Sequence, residues 1–432
     1  MISAGVHGEQ SLGQALAKLN RFIGKRTGIV KEPFPSFLSS QVPDIFVFSA
    51  SSMGSGAALT EEEALVCAIG ESVERHISVS YEPEDDVVCP YNELGDQAVH
   101  PSRFALYSES QYQQPKFPYA RFAEESVIRW TSAYSFLEKR EVKVPSCLSY
   151  MSYRPNPGET VIGGASSNGL ACHTSRDQAL LKCIYEIVER DAFFAIWNNR
   201  LSVPTIRIDQ SSWLRRIFDQ KLDKPGTEYH FIDMTTDIGI PVACCVGKMK
   251  HGDTIITGVG AAANLDPSKA LFKAMVEAGH TLIWADNMMD RDHFVFDPTF
   301  ANIRDFPDHV RLYCESRMQP ELDFLFASQD VSDISQHEDL SSGDFAQDIK
   351  TCLGLLTSHG LSAFMLDMTP SYVAQAGLSV VKIIVPEAVG INGNHAYRFL
   401  GGDRLYEIPK LLGYTSTRTT EESLNPTPHP FP

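Results

Sequence analysis

An internal repeat constrains the fold of this chain more than any other feature of its sequence. Residues 51–75 align without a gap to residues 166–190, and ten of the twenty-five aligned pairs are identical. Each copy starts with two serines and ends in the pattern Glu-x-x-Glu-Arg. Apolar residues recur within each copy at spacings of three and four, which predicts two similar helices that each bury one face.

Polar residues before each apolar run predict where these helices begin. Ser175 and Gln178 have the spacing of a capping box, in which a side-chain oxygen accepts from the third helical amide. Thr60 and Glu63 repeat that spacing in the first copy. We therefore expect both helices to start directly after these caps.

A third, weaker copy covers residues 257–280. Asp266 is its expected N-cap, and Pro267 suits the first helical position because its ring fixes a helical φ. Glu277 and His280 keep the offsets found in the other copies. Three related helices, two of them with paired acids, indicate a composite site.

Two glutamates and one arginine share a strip on each of the first two helices, because residues three and four apart are neighbours. These six residues are Glu71, Glu74 and Arg75 with Glu186, Glu189 and Arg190. A single such strip is most often a solvated charged face. Its repetition favours four carboxylates that converge from two helices and therefore need divalent cations. Hard oxygen ligands with room for water suit Mg²⁺ that bridges phosphates better than they suit zinc.

The composition excludes several classes of protein. The formal net charge is −17, so a broad nucleic-acid-binding face is not expected. No apolar stretch approaches the length of a transmembrane helix, and the first residues lack the pattern of a signal peptide. Nine cysteines are scattered without a CxxC pair, which fits buried free thiols in a reducing compartment. We expect a cytoplasmic protein that binds neither nucleic acid nor membranes.

The remaining pattern predicts an α+β fold. We expect a helix over residues 10–23, strands over 44–51, 127–135 and 142–150, irregular structure over 81–118 and 154–164, and a mobile surface loop over 328–348. Residues 228–247 and 361–385 share a strand-turn-strand layout. Duplicated helices and duplicated strand pairs predict a pseudo-symmetric body rather than a doubly wound sheet, and the sequence has no GxGxxG or P-loop motif.

The end of the chain differs from the rest. Residues 425–432 carry proline at every second position, so they cannot join a helix or a central strand. Extended as polyproline II, the last seven residues would span roughly 22 Å at about 3.1 Å each, enough to reach from the surface into a cleft. We therefore predict a main domain, residues 1–414, and a tail, residues 415–432.

These features together resemble the YcaO family, specifically its azoline-forming cyclodehydratases. The resemblance runs from about residue 10 to Pro432 and includes both Glu-x-x-Glu-Arg helices, the turn at residues 166–171 and the segments 308–313 and 380–389. The ending Pro-His-Pro-Phe-Pro is the feature that best distinguishes azoline-forming members from the rest of the family, because relatives that make thioamides or other products usually lack a proline-rich end.

The resemblance implies a pseudo-symmetric α+β fold around a nucleotide cleft that holds ATP and two Mg²⁺ ions. In such enzymes a Cys, Ser or Thr side chain of a ribosomally made precursor peptide attacks the preceding carbonyl. ATP then phosphorylates the resulting oxygen, and phosphate leaves to give a thiazoline or oxazoline. A relative that makes thioamides or amidines, or an accessory subunit that binds nucleotide without turnover, are the alternatives.

Site residues follow from the same resemblance. It assigns the Mg²⁺–phosphate cluster to Glu71, Glu74, Glu186 and Glu189. It assigns nucleotide binding to Ser167, Asn168, Thr174 and Gln178, to which we add Arg75, Glu277 and His280. The catalytic candidates are Glu189, Arg190, His429 and Pro432; Arg190 would face phosphate or pair with an acid, and His429 or Pro432 would shape the pocket of the attacking group.

Three positions depart from the family pattern. Residues 54–56 read Gly-Ser-Gly where many members have a lysine between the glycines. His280 replaces a common glutamine, and Lys382 replaces a common arginine. Each departure puts the role of that one position in doubt.

Partners are also expected. No segment before residue 10 is long enough for a leader-binding module, so we expect a separate partner protein related to adenylating enzymes, and low activity without it. A homodimer is typical of the family, and a flavin-dependent azoline dehydrogenase is a further partner that the resemblance allows.

Overall fold

The computed structural model describes residues 12–26, 28–51, 54–80, 86–289 and 295–432. Its helices are α1 Leu12–Leu19, α2 Glu61–Ser80, α3 Tyr91–Leu94, α4 Glu109–Tyr112, α5 Arg176–Asn199, α6 Trp213–Ile217, α7 Pro267–Met289, α8 Phe306–Leu312, α9 Phe345–Ser358, α10 Ser371–Gln375 and α11 Asp403–Leu411. Its strands are β1 Phe34–Pro35, β2 Phe46–Ala50, β3 Gly54–Ala58, β4 Val87–Cys89, β5 Ile128–Ser135, β6 Arg140–Pro145, β7 Leu170–His173, β8 Thr205–Arg207, β9 Thr227–Asp233, β10 Val242–His251, β11 Thr254–Ala263, β12 Val331–Asp333, β13 Phe364–Asp367 and β14 Ser379–Ile384.

The strands form three sheets. A three-stranded sheet has the order β1-β2-β3, and a five-stranded sheet has the order β11-β10-β9-β8-β12. The third sheet follows the path β4-β5-β13-β14-β7, with β6 paired to β5 beside it. Every pairing between these strands is antiparallel except that of β12 with β8. The mixed α+β class predicted from the sequence is confirmed.

The three repeat helices pack on the sheets in related ways. α2 lies on β3, α7 lies on β11, and α5 lies across β14 and β7. In the first and third units a glycine-rich strand lets the helix approach closely. A Cβ at Gly56 would lie 2.3 Å from the carbonyl oxygen of Ala64, and one at Gly260 would lie 2.4 Å from the amide nitrogen of Ala278. The predicted pseudo-symmetry therefore has a packing basis in these strand glycines.

All three predicted helix starts agree with the structure, and the predicted capping hydrogen bond is present in two of the three. The Thr60 hydroxyl accepts a hydrogen bond from the Glu63 amide at 3.3 Å, and the Asp266 carboxylate accepts from the amides of Ser268 and Lys269. α5 also starts after the predicted residue, Ser175, but the Ser175 side chain makes no capping hydrogen bond. The capping box proposed there is wrong, although the boundary is right.

Other local predictions need correction. The predicted helix over 10–23 is α1 followed by a 3₁₀ turn at residues 20–22, with residues 10 and 11 outside the described part. Region 81–118, of which residues 81–85 lie outside the described part, contains β4, α3 and α4. Region 328–348 contains β12, which pairs with β8 and carries the Arg207–Asp333 ion pair at 2.8 Å. That segment is therefore part of a sheet edge, because strand pairing outweighs its polar composition.

The tail packs into the core rather than over it. Leu424, Asn425 and residues 427–431 are buried. The indole nitrogen of Trp197 donates to the carbonyl of Thr427 at 3.2 Å, and the Tyr313 hydroxyl donates to the carbonyl of Pro428 at 2.7 Å. As predicted, the proline-rich residues join neither a helix nor a strand. The division into two parts at residue 414 stays a prediction.

Candidate functional site

Acidic side chains of α2, α5 and α7 meet in one region, which we call the acidic cleft. They are Glu71 and Glu74 of α2, Glu186 and Glu189 of α5, and Glu277 of α7. Burial raises the pKa of Glu74 to about 7, with Lys182 and Arg75 opposing and with Glu71 and Glu186 adding to the rise. Burial also raises the pKa of Glu189 well above its usual value, and Glu277 and Glu186 add to that rise. Interactions between charges weaken with distance, so carboxylates that shift one another's pKa lie in the same region. The acidic strips of α2 and α5 therefore lie within electrostatic range of each other, and Glu277 of α7 lies within range of Glu189.

Of the two glutamates of the first repeat, Glu71 bonds within its own repeat and Glu74 bonds to the second repeat. Glu71 accepts hydrogen bonds from the amide of Ser55 at 2.8 Å and from the guanidinium of Arg75 at 3.0 Å. Glu74 accepts from the amide of Cys172 at 3.0 Å. Cys172 lies on β7, directly before α5, so the carboxylate of one repeat binds the strand that leads into the other.

The second repeat holds an incompletely paired acid and base. Arg190 Nε lies 3.3 Å from Glu189 Oε1, and Arg190 Nη2 lies 3.7 Å from Glu186 Oε1. Glu189 Oε1, Arg190 Nε and Arg190 Nη1 are nevertheless buried without a hydrogen bond of good geometry. Such groups cost about 1–3 kcal/mol each unless a ligand or water satisfies them. These atoms are therefore candidates to contact a polar ligand.

Three lysines line the same region. The sequence prediction missed Lys182 and Lys273, and it named Lys382 only as a departure from the family pattern. The side chains of Lys182 and Lys273 are exposed to solvent, yet many protein atoms surround them. This combination is typical of groups that line a concave surface. Burial lowers the pKa of Lys182, but Glu74 and the neighbouring acids outweigh it, so the net pKa is raised. Lys382 is buried, donates to the carbonyl of Ser166 at 2.8 Å, and has its pKa lowered to about 8 by burial.

A sequence signal for two of these lysines existed. Lys182 lies four residues before Glu186, and Lys273 lies four residues before Glu277. Residues at that spacing share one face of a helix, so both lysines extend the acidic strips by one turn. Cys67 occupies the equivalent position before Glu71. Alignment of all three repeats could therefore have placed positive charge in the site.

Four predicted nucleotide contacts lie between the turn before β7 and the first turn of α5, whereas His280 lies on α7. The Thr174 amide donates to the ring of His173 at 2.9 Å. The Asn168 amide donates to the Ser166 hydroxyl, and Asn168 Oδ1 is buried without a partner among the described residues. Burial lowers the pKa of His280, and Glu71 opposes that effect, which places His280 near the acids. Ser167 and Gln178 are half-buried at the turn and the first turn of α5. The nucleotide-binding roles of these residues stay predictions.

The tail reaches the arginine of the second repeat. The guanidinium carbon of Arg190 lies 4.1 Å from the centroid of the Phe431 ring, and Phe431 also packs edge-on against Phe193 at 4.6 Å. His429 is stacked on His309 at 3.7 Å between ring centroids, and burial lowers its pKa well below the usual value. Pro432 is half-buried. The catalytic assignments of His429 and Pro432 stay predictions.

The residues fit a hard divalent cation bound with phosphate. Within the described ranges, no three His, Cys, Asp or Glu side chains are already gathered as a metal centre. Arg75 and Arg190 instead lie against the acids, and they would have to share them with a cation. Carboxylate oxygens are ligands that Mg²⁺ prefers, and the lysines and arginines offer charge to phosphate oxygens. The assignment of Glu71, Glu74, Glu186 and Glu189 as metal ligands stays a prediction.

Membrane insertion finds no support in the described helices. None of them is both long enough and apolar enough to cross a bilayer.

Comparisons with known proteins identify the family of this chain. The model of the YcaO cyclodehydratase family, described as ATP- and Mg²⁺-binding, matches residues 55–389. An uncharacterised protein of Methanothermobacter thermautotrophicus is 26% identical over 343 residues, 78% of this chain and 82% of that protein. An uncharacterised protein of Rhizobium leguminosarum bv. trifolii is 30% identical over 173 residues, which cover 37% of this chain and 40% of that protein.

Solved structures show the same fold. A heterocyclase in complex with substrate and cofactor has a TM-score of 0.83 at 25% identity, and the heterocyclase TruD has 0.72 at 25%. They cover 99% and 97% of this chain, which spans only 58% and 54% of their length. A YcaO protein of Methanopyrus kandleri, bound with AMPPCP and Mg²⁺, has a TM-score of 0.61 at 18% identity and covers 89% of this chain and 91% of that one. With its family match over most of its length and its acidic cleft between the repeat helices, this chain belongs to the YcaO family of ATP- and Mg²⁺-binding cyclodehydratases.

Proposed function

We propose that this chain is an ATP- and Mg²⁺-dependent cyclodehydratase that converts Cys, Ser or Thr residues of a ribosomally made precursor peptide into thiazolines or oxazolines. One observation carries the proposal: the acids of α2, α5 and α7 meet beside lysines and arginines, with unpartnered buried polar atoms on Glu189 and Arg190. Such a mixture of charges suits a triphosphate bound through cations better than it suits a structural ion-pair network.

The proposed chemistry needs no nucleophile from the protein. The thiol or hydroxyl of the peptide attacks the preceding amide carbon, and its proton passes to solvent or to a base of the site. The amide oxygen takes the γ-phosphoryl group of ATP, which releases ADP. Loss of phosphate with the amide proton then closes the C=N bond. The net change for each ring is loss of one water from the peptide and hydrolysis of one ATP.

The protein would act by positioning and by electrostatic stabilisation. Mg²⁺ held by Glu71, Glu74, Glu186 and Glu189 would neutralise charge on the phosphate oxygens. Arg190 is fixed on its other face by the Phe431 ring, so its orientation toward the acids is set by the tail. The proline-rich ending itself favours the azoline product over the thioamide and amidine alternatives, because relatives that make those products usually lack it.

Mass spectrometry tests the reaction. The chain is incubated with ATP, Mg²⁺, the separate leader-binding partner and a Cys-rich precursor peptide. Loss of about 18 Da localised to a Cys, Ser or Thr residue supports the proposal, whereas the same loss at an amine group indicates an amidine. Gain of about 16 Da indicates a thioamide, and no change indicates an accessory subunit. A reaction with chelator in place of Mg²⁺ is the matched control and should give no product.

The partner is part of the proposal. We expect activity without the leader-binding protein to be low, because the precursor would then be held only by its short reacting segment. Equal rates with and without that protein would contradict this expectation. A homodimer and a flavin-dependent dehydrogenase acting on the product belong to the same proposal and are checked by sedimentation and by loss of two further hydrogens per ring.

A further inference from the structure

A wedge opens in the third sheet between β5 and β13. β5 pairs with β4 through residues 128–130, and it pairs with β13 only at Tyr134 and Ser135. Along the same edge, no strand of the described residues pairs with residues 131–133. β13 continues to Asp367 on its pairing with β14 and so diverges from β5. A cavity of about 660 Å³ fills the opening.

One backbone rung of β5 faces this cavity. The Phe136 amide donates to the carbonyl of Ala363, the residue before β13, so the amide and carbonyl of Phe136 point toward that strand. Backbone groups alternate sides along a strand, and Tyr134 and Ser132 therefore point the same way. The opposite edge of β5 is covered by β6. The amide and carbonyl of Ser132 are thus directed into the wedge, where a strand could be added.

The walls of the wedge carry negative charge and aromatic rings. Four carboxylates line it, from Asp86, Glu141, Asp177 and Asp367. Arg176 is the one basic residue among the described lining, and it lies 3.8 Å from Asp367. Oδ1 of Asp86 is buried without a hydrogen-bond partner among the described residues. Tyr134 and Phe136, packed edge-on at 5.5 Å, supply faces that attract cationic side chains.

We propose that this wedge binds an extended, lysine- or arginine-bearing segment of the peptide substrate by strand addition to β5. Backbone hydrogen bonds to Ser132 would fix the segment, and the carboxylates would select its basic side chains. That the bound segment belongs to the substrate rests on the proposed function. The binding site itself rests on the open rung, the cavity and its charge.

The wedge is separate from the acidic cleft. Arg176, Asp177 and Leu180 reach it from one face of α5, whereas Glu186 and Glu189 lie on another face further along the helix. Nine residues separate Asp177 from Glu186, which is about 14 Å along a helix. An extended peptide needs at least about four residues to cover that distance. The basic segment should therefore lie four or more residues from the residue that is cyclised.

Selection of peptides tests the site without ATP. A displayed library of random short peptides is selected on the wild-type chain after subtraction on the Asp177→Lys/Asp367→Lys variant. We expect recovered sequences with lysine or arginine at alternate positions. Recovery of acidic or purely apolar sequences, or of none beyond those the variant binds, would overturn the proposal. So would self-association of the wild-type chain that the variant abolishes, since the wedge would then belong to a second copy.

Calorimetry on the recovered peptide supplies matched controls. Asp177→Asn should weaken binding about threefold, as expected for one partly exposed ion pair, whereas Asp253→Asn in an exposed turn should leave Kd unchanged. N-methylation of the peptide amide that faces Ser132 should weaken binding roughly fivefold, and methylation of the next amide should not. Equal effects of both methylations would rule out strand addition in the wild-type protein.

The binding and turnover experiments fail independently. If the chain binds the basic peptide but forms no ring, the wedge proposal stands and the proposed function is refuted. If the chain forms rings but binds no basic peptide, the proposed function stands and the wedge proposal is refuted.

Discussion

The carboxylates of the cleft are held in an environment that opposes their charge. Glu74 and Glu189 are both buried, and each lies near other acids of the repeat helices. Neighbouring groups within the protein compensate the buried negative charge only in part, since Glu189 Oε1 lacks a hydrogen bond of good geometry. A bound cation would remove this conflict. The same residues that we assign to function should therefore reduce the stability of the free protein.

Replacement of Glu189 separates function from stability. We expect Glu189→Gln to lower ATP consumption at least about a hundredfold, because a transition-state charge contact is lost. The free energy of unfolding should stay the same or rise, because burial opposes the charge of Glu189 and Arg190 keeps its ion pair with Glu186. Coupled ATPase assays and urea unfolding measure the two effects. Glu125→Gln, on an exposed loop, is the control, and full turnover by the Glu189 variant would refute its role as a ligand.

The raised pKa of Glu74 predicts how the stability of the protein changes with pH. Burial raises its pKa from 4.5 to about 7, so the folded protein keeps a proton that the unfolded chain releases between these values. Stability must then fall as pH rises from about 4.5 to about 7. Glu74→Gln removes this contribution and keeps the acceptor for the Cys172 amide. We expect the variant to gain about 3 kcal/mol over wild type at pH 8 and nothing at pH 4, measured by urea unfolding without Mg²⁺. A difference independent of pH would contradict the assignment.

Among the elements, the tail is bound to α5 by aromatic packing. Phe431 is 1% exposed and contacts Phe193 and Arg190, while Trp197 and Tyr313 donate hydrogen bonds to the tail backbone. Proline leaves few backbone N–H groups in this segment, so the tail cannot form a helix or sheet in which its own carbonyls would be paired. Side chains of the core donate to these carbonyls instead. The tail therefore acts as a fixed support of the Arg190 side chain.

Truncation of one ring tests this support. Phe431→Ala should lower the free energy of unfolding by about 3 kcal/mol through loss of a buried aromatic ring, and should reduce turnover by releasing Arg190. Phe431→Leu keeps most of the volume and should cost less than about 1.5 kcal/mol while still lowering turnover. Phe37, which is 72% exposed, provides the control, since Phe37→Ala should change stability by no more than about 0.5 kcal/mol. Full turnover by both Phe431 variants would exclude a supporting role for the tail.

At the scale of the whole molecule, the cleft joins all three repeat helices and thereby all three sheets. α2 lies on the three-stranded sheet and α7 on the five-stranded sheet, while α5 crosses the third. A ligand held by acids from α2, α5 and α7 at once would link these units. Binding should therefore stabilise the molecule as a whole rather than one part of it.

Thermal unfolding measures this linkage. Mg²⁺ with ATP at about a hundred times Kd should add about 2.7 kcal/mol to the free energy of unfolding of the wild-type chain. ATP with chelator should add much less, and Glu189→Gln should show little increase with either. An equal increase with and without Mg²⁺ would contradict a cation-bridged nucleotide site.

The sequence by itself determined those features that depend on local periodicity and on repetition. The three repeat helices follow from residue spacing and capping residues, and the same spacing puts the acidic residues of a helix on one strip. The exclusion of the tail from regular structure follows from proline. These rules act within one turn of helix or within a short segment, so they can be applied without knowledge of the rest of the chain. The pairing of β12 with β8 was missed because strand partners are distant in sequence.

Only the tertiary structure decided which groups meet across elements. Lys382 comes from β14, and Phe431 comes from the tail, yet one lies near Glu186 and the other covers Arg190. The wedge beside Ser132 exists because β13 leaves β5 after two paired residues. Burial, pKa shifts and open strand edges arise from packing between segments far apart in the chain, and no local pattern encodes them.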